Sequence, residues 1–275
     1  MTSGNNNIMN ITMLGTGNAL VTECYNTCYI LTHNNHSLLV DTGGGNTILH
    51  RLKHAGFALQ DIHDVFITHS HIDHLLGVIW IIRIAAQLMN KESFTGDINI
   101  YSHDGVIPLI NELVHKLLLP YQAGYLDTRI HLHTIHDGDS LPLIGQYFTF
   151  FDICSDRTKQ FGFRMLYDGV KSLVCYGDEP CKPQCEHYAQ NADWLLHEAF
   201  CLYSEAGKFR PYEKNHSTVK DACEFAQRLS VRNLLLYHTS DSDLPHRRER
   251  YNQEGREYFS GNIYVPDDLE RLELL

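Results

Sequence analysis

Val65-Phe66-Ile67-Thr68-His69-Ser70-His71-Ile72-Asp73-His74 joins a short apolar run to a turn crowded with imidazoles. At strand spacing His69 and His71 lie on one face, so their rings can converge on one cation. Asp73 and His74 fall on the following turn, displaced enough to serve a second cation a few ångströms away. Two dications ~3.5–4 Å apart can share a water, draw its pKa toward ~7 and hold it for in-line attack. The plain alternative is a polar turn that happens to be rich in histidine, and the density of metal donors speaks against it.

Outward from that segment, apolar periodicity predicts strands and helices in mixed order. Residues 10–15 read as a strand entering the Gly15-Thr16-Gly17 turn, and residues 27–32 and 37–40 read as a hairpin around His33-Asn34-Asn35-His36. Helices are expected over residues 47–55, stopping at Gly56, and over about 75–88. Further strands are expected at 65–68, 98–101, 128–133, 147–153, 161–167 and 172–176. The last third twice sets a strand after a helical segment, 193–196 after 182–190 and 233–237 after 217–229. No linker, internal repeat or break in composition divides the chain, so residues 1–275 read as one domain, a layered α/β sandwich.

Composition narrows the class. With 275 residues, 43% of them hydrophobic, the chain can bury a sizeable core and is not disordered. Its 22 Lys and Arg against 33 Asp and Glu leave a net charge of −11, which argues against coating nucleic acid through clustered basic side chains. Eighteen histidines make a metal site the first thing to seek. Residues 1–7 carry neither the basic nor the apolar part of a secretory signal, so a cytoplasmic protein is expected, with its eight cysteines as free thiols. The apolar stretch 75–89 contains Arg83 and falls short of the ~20 residues a membrane helix needs, so it reads as a buried helix and no membrane contact is expected.

His69-x-His71-x-Asp73-His74, preceded by a strand ending Leu38-Leu39-Val40-Asp41-Thr42-Gly43, resembles the metallo-β-lactamase fold superfamily and, within it, the ribonuclease Z branch of phosphodiesterases. The resemblance runs almost end to end. Met13-Leu14-Gly15-Thr16-Gly17 is similar to that branch's opening turn, Leu196-His197-Glu198-Ala199 to its His-Glu-Ala-Thr motif and Asn215-His216-Ser217-Thr218 to its His-Ser-Thr motif. Leu234-Leu235-Leu236-Tyr237-His238 resembles the strand that delivers the last metal-binding histidine. The resemblance implies a four-layer αββα sandwich of the metallo-β-lactamase type, with two divalent ions at the sheet edge: zinc first, manganese or iron(II) as alternatives. Carried over by position, His69, His71, Asp73, His74 and His238 would bind the metals, and Asp178 in Cys175-Tyr176-Gly177-Asp178 would bridge them, because two dications held close need an anion between them. Asp73 would also steer the attacking water, His216 would protonate the departing alkoxide and Glu198 would orient the His216 ring.

The third motif departs from the family. Where the family has a histidine a few residues before a Gly-aromatic pair, this chain reads Phe151-Asp152-Ile153-Cys154-Ser155-Asp156-Arg157-Thr158-Lys159-Gln160-Phe161-Gly162-Phe163. Spacing back from Gly162 selects Asp156, whereas the strand end selects Cys154, and both residue types bind zinc. Cys154 is the expected replacement, Asp156 the alternative, and a first metal held by two histidines and solvent the third option. Asp41 is expected to hydrogen-bond a ligand histidine, with Gly43-Gly44-Gly45 letting the chain pass close beneath the site. Cys181-x3-Cys185-x-His187 lacks a fourth ligand at suitable spacing for a structural zinc, and His246-Arg247-Arg248-Glu249-Arg250 reads as a solvated helix face before it reads as a phosphate contact.

Ribonuclease Z enzymes of the bacterial type carry a long arm between the third motif and the bridging Asp that grips tRNA. Here about two dozen residues separate Cys154 from Asp178, and two predicted strands fill them. With the acidic balance, a small cyclic or linear phosphodiester is expected as substrate in preference to tRNA. A lactone, carboxylic-ester or thioester hydrolase on the same metals is the second reading. A non-catalytic metal-binding or ligand-sensing protein, suggested by the missing histidine, is the third. The resemblance also makes a homodimer an expectation, since the family commonly forms one.

Overall fold

The computed structural model describes residues 8–275, so the reading of residues 1–7 as free of a secretion signal lies outside the described residues. The first half supplies β1 (Asn10–Gly15), β2 (Cys28–His33), β3 (His36–Val40), β4 (Asp64–Phe66), β5 (Ile98–Ser102) and β6 (Ile130–Thr134). The second supplies β7 (Ser140–Leu143), β8 (Gln146–Asp152), β9 (Phe161–Tyr167), β10 (Lys171–Cys175), β11 (Trp194–Glu198), β12 (Asn233–Tyr237), β13 (Asn262–Tyr264) and β14 (Arg271–Glu273). They form two seven-stranded sheets, ordered β14-β1-β2-β3-β4-β5-β6 and β13-β12-β11-β10-β9-β8-β7. The last strand returns to the first sheet, where β14 pairs antiparallel with β1 and ties the chain's two ends together.

Side chains alternate across a strand, so these mostly apolar strands have two faces to bury. In β2, Tyr29 and Leu31 enter the core between the sheets, while Cys28 and Ile30 face the helices outside. Those helices are Thr47–His54, Gly77–Asn90 and Ile107–Leu117, which present Ile48, Leu52, Val78, Ile81, Ile82, Ile110 and Val114 to the first sheet. On the far side, helix Val219–Arg228 lays Val219, Ala222, Cys223 and Ala226 over Val174, Leu195, Leu234 and Leu236 of the second sheet. The order is therefore helices, sheet, sheet, helices, which is the expected αββα sandwich. Four phenylalanines, Phe66, Phe148, Phe150 and Phe163, knit the inter-sheet layer, with the Phe66 and Phe150 rings 4.9 Å apart. Phe150→Ala should cost about 3–5 kcal/mol through lost burial and an unfilled cavity, read as a drop in the urea midpoint at unchanged slope.

The segment Ile72–Asn90 is long and apolar enough to cross a membrane by length and composition, but 61% of its apolar window is buried inside the protein, which makes it a core helix as expected. Its Gly77 is required by contact: a Cβ there would lie 2.0 Å from the Thr42 carbonyl oxygen, and the Gly77 amide donates to the Gly43 carbonyl at 2.9 Å. That close approach fixes the loop after β3 beneath the site. All eight cysteines are free thiols.

Helix Ile107–Leu117 and strands β7, β13 and β14 were not anticipated from periodicity. β7 contains Pro142 and runs along a sheet edge, and β13 and β14 have three residues each, too few for alternation to register. β4 ends at Phe66, sooner than expected, so His69 and His71 project from a loop rather than from a strand face. Parallel pairing of β3 with β4, and of β10, β11 and β12 with one another, brings the carboxyl ends of these strands to the two sheet edges where Asp41, Asp178 and His238 follow and Glu198 ends β11.

Candidate metal centre

His69, His71 and His74 each have one ring nitrogen held from behind, which decides what the other can do, whereas His238 has neither nitrogen held. Asp41, left-handed at φ +55°, follows β3 and accepts from the Thr68 amide on Oδ1 at 2.8 Å. Its Oδ2 accepts from the Thr68 hydroxyl at 2.8 Å and from His74 Nδ1 at 2.7 Å. With Nδ1 committed to Asp41, His74 turns Nε2 inward, 3.4 Å from Asp73 Oδ2 and 3.5 Å from Asp178 Oδ2. His69 Nδ1 lies 2.9 Å from the Thr68 hydroxyl, which frees His69 Nε2, 3.6 Å from Asp178 Oδ2. His71 Nε2 meets the Thr158 hydroxyl at 3.2 Å, and its Nδ1 faces His69 Nε2 at 2.9 Å. His238, also left-handed at φ +55° just after β12, places Nε2 3.5 Å from Asp178 Oδ2 and 3.6 Å from Asp73 Oδ2.

Three groups result among the described residues, His69, His71 and Asp178, then Asp73, His74 and His238, then Glu198, His216 and His238, with donor atoms in each within 4.8 Å of one another and His238 common to the last two. Asp178 Oδ2 is 3.5–3.6 Å from imidazoles of the first two groups, the relation a bridging carboxylate needs. His74 Nε2, Asp178 Oδ1 and both nitrogens of His238 are buried with no hydrogen-bond partner. Stranded polar atoms are costly in a folded core, and several converging on one point fit a cation. Burial holds His69 well below the ordinary histidine value, so it is neutral, as a metal ligand must be. For Asp178 burial works the other way, but the surrounding imidazoles, His69 first, outweigh it and hold the carboxyl well below the usual range. Asp41→Asn leaves one acceptor where three donors now converge, and is expected to weaken metal binding about 10–100-fold, measured by competition with a chromophoric chelator.

Cys154 requires a correction. It is exposed, left-handed at φ +59°, and its thiol points back to the Asp152 carbonyl at 3.7 Å, because the turn after β8 directs it away from the histidines. The alternative, Asp156, is an exposed partner of Lys182. Neither joins the cluster, so the first group has two histidines and the shared carboxylate.

His216 flanks the cluster, its ring 5.1 Å from that of His238 and stacked on Phe200 at 4.9 Å with 6° between planes. Its Nδ1 donates to the Asp178 backbone carbonyl at 2.9 Å, whereas Glu198 Oε2 is 3.7 Å away. The carbonyl and Phe200, more than Glu198, therefore orient the ring, while Glu198 Oε1 accepts from the Ser217 amide. Burial pushes the Glu198 carboxyl well up and lowers His216 to about 4. A second network was not legible in the sequence: buried Glu179 accepts from Ser155 at 2.8 Å, Gln160 at 3.2 Å and Asn215 at 2.6 Å, pinning the loops before β9 and before His216 to the residue next to Asp178. The basic run at 246–250 lies elsewhere: Arg247 is buried on Thr16, Thr239 and Pro266, and Arg248 and Arg250 are paired with acidic residues.

Over the cluster opens a cavity of about 440 Å³, with Asp73, Asp178, His216 and His238 in its wall. Arg157, Lys214, Leu20 and Ile72 also line it, the two apolar side chains being exposed. Arg157 donates to the Glu213 carbonyl at 2.5 Å, and the Lys214 ammonium lies 4.6 Å over the Phe200 ring.

The sandwich and its edge cluster define a ribonuclease Z-like, metal-binding hydrolase of the metallo-β-lactamase fold. Residues 9–259 match the family described as Anti-Pycsar protein Apyc1, and the chain belongs to that family. A ribonuclease Z of Pseudomonas putida (strain GB-1) is 25% identical, the match covering 97% of each chain. Among solved structures, the metallo-β-lactamase fold protein YhfI of Bacillus subtilis matches with a TM-score of 0.79 at 20% identity, over 97% of this chain and 100% of that one. A diphosphatase of the PhnP family matches with a TM-score of 0.73 at 17% identity, over 96% of each.

Proposed function

We propose that the protein hydrolyses a small cyclic or linear phosphodiester of about nucleotide size with water as the nucleophile, and that its clustered donors would hold two divalent ions, zinc first among them. The observation that carries this reading is the set of stranded, buried donors, His74 Nε2, Asp178 Oδ1 and His238 Nε2, lying under a 440 Å³ cavity that also exposes two cations. Bound dications would supply a nucleophile at neutral pH and neutralise charge growing on the phosphoryl oxygens. The chain's own residues do the rest. Arg157 and Lys214 hold the phosphodiester anion at the mouth, in a protein whose net charge of −11 would otherwise repel it. Asp73, fixed between His74 and His238, aligns the attacking water. His216 keeps Nδ1 on the Asp178 carbonyl, so Nε2 is the atom that meets the leaving oxygen. It gains its proton as the anionic substrate arrives, with Glu198 close enough to share it.

The curated relatives are ribonucleases, but the span between Cys154 and Asp178 is occupied by the strands β9 and β10 and holds no arm for gripping tRNA. The volume and the missing arm favour a small substrate. The test is initial rates on bis(4-nitrophenyl) phosphate and 3′,5′-cyclic mononucleotides against a lactone and a thioester, each with zinc or manganese added. Phosphodiester turnover well above the other two supports the reading, and lactone or thioester turnover in its place overturns it.

A further inference from the structure

The first two groups of donors are not equivalent. Asp73, His74 and His238 are all buried and share Asp178, giving one position four side chains. His69 and His71 share the same Asp178 and find no further donor among the described residues, and His71 is only half-buried. Three metal-binding side chains near the vacated third-motif place are engaged elsewhere. Cys154 faces the Asp152 carbonyl, Asp156 faces Lys182, and Glu179 is saturated by Ser155, Gln160 and Asn215. The backing differs as well: a carboxylate, Asp41, stands behind His74 at 2.7 Å, whereas His69 and His71 are backed by the neutral hydroxyls of Thr68 and Thr158. A carboxylate behind a ligand imidazole raises its basicity, and a hydroxyl does so less.

We propose that the protein binds its two metals unequally: one tightly at Asp73, His74, His238 and Asp178, the other weakly and exchangeably at His69, His71 and Asp178. The loss of the third-motif histidine thereby turns a permanent metal pair into one resident ion and one drawn from the free pool, so that hydrolysis follows the supply of divalent metal. Two imidazoles and one carboxylate with open positions also form a donor set that manganese or iron(II) accepts, so the exchangeable ion need not be the same element as the resident one.

This inference rests on the metal-dependent reading above, and its test reads binding rather than turnover. Chelator-stripped full-length protein is titrated with Zn²⁺, and separately with Mn²⁺, against a competing chromophoric chelator. The expected result is two events per chain, at least ~10-fold apart in affinity. His71→Ala should remove the weaker event and spare the tighter, and His238→Ala should remove the tighter. Two events of equal affinity in the wild-type protein, or loss of the tighter event in His71→Ala, would overturn the proposal. The two readings fail separately. Unequal events without hydrolysis of bis(4-nitrophenyl) phosphate at saturating metal reject the phosphodiesterase and leave the inequality, and equal events with full hydrolysis do the reverse.

Discussion

Asp73→Ala is expected to lower turnover of bis(4-nitrophenyl) phosphate by roughly 10³-fold or more, with the fold intact. The size of the effect follows from the residue's several contacts. Its carboxylate is buried, 3.4 Å from His74 Nε2 and 3.6 Å from His238 Nε2, so removing it strips a donor from the tighter metal position and the aligning group from the water at once. Burial alone would raise its pKa, but His74 and His238 outweigh that and hold the carboxyl well below its ordinary range, so the group stays an anion. The other carboxylates are committed: Asp178 is shared between both metal groups, Asp41 is held by Thr68 and His74, and Glu198 accepts from the Ser217 amide beside His216. Because Asp73 opens onto the cavity and packs no core, circular dichroism and the urea midpoint should change little while the rate collapses.

The second large effect separates leaving groups. His216→Ala should slow substrates with an alkoxide leaving group by about 10²–10⁴-fold and leave nitrophenyl esters within about tenfold of wild type, because nitrophenolate departs without a proton. The geometry supports the distinction. His216 is clamped by the Asp178 carbonyl at 2.9 Å and by the Phe200 ring, and it touches none of the donors of the first metal group. Its ring lies beside that of His238, 5.1 Å away, so a chelator titration of the variant should accompany the rates: unchanged metal binding with the leaving-group split assigns the loss to proton delivery. Equal losses on both substrate types would make His216 a structural neighbour of the cluster and return the general-acid role to another group. Phe200→Leu, which takes away the stacking partner, should reproduce a milder version of the same split.

Residues 69–74 announced the site because the donors are contiguous: a chemical density of that kind is visible without any fold. Asp178, Glu198 and His238 are different. Each is an isolated residue at the end of an apolar strand, and only the family resemblance singled them out, since what unites them is parallel pairing of β10, β11 and β12, a relation that leaves no local trace. Cys154 was misplaced for the same reason. A strand-end residue points into the site only while the backbone stays extended, but the left-handed turn after β8 reverses the side chain, and backbone handedness at a non-glycine residue is not written in residue type. The network of Glu179 with Ser155, Gln160 and Asn215 joins loops that are far apart in sequence, so neither spacing nor periodicity could show it. In the fold, β1, β9 and β12 matched their apolar periods because each has five or more residues with regular burial, whereas three-residue β14 exists only through its pairing with β1.

The most direct test of a metal-dependent phosphodiesterase is the rate of cleavage of a cyclic phosphodiester as chelator-stripped protein is reloaded with zinc or manganese. The account predicts an inactive stripped protein, little activity at the first equivalent and full activity only as the weaker position fills. Cleavage that survives stripping, or none after both positions are filled, would contradict it.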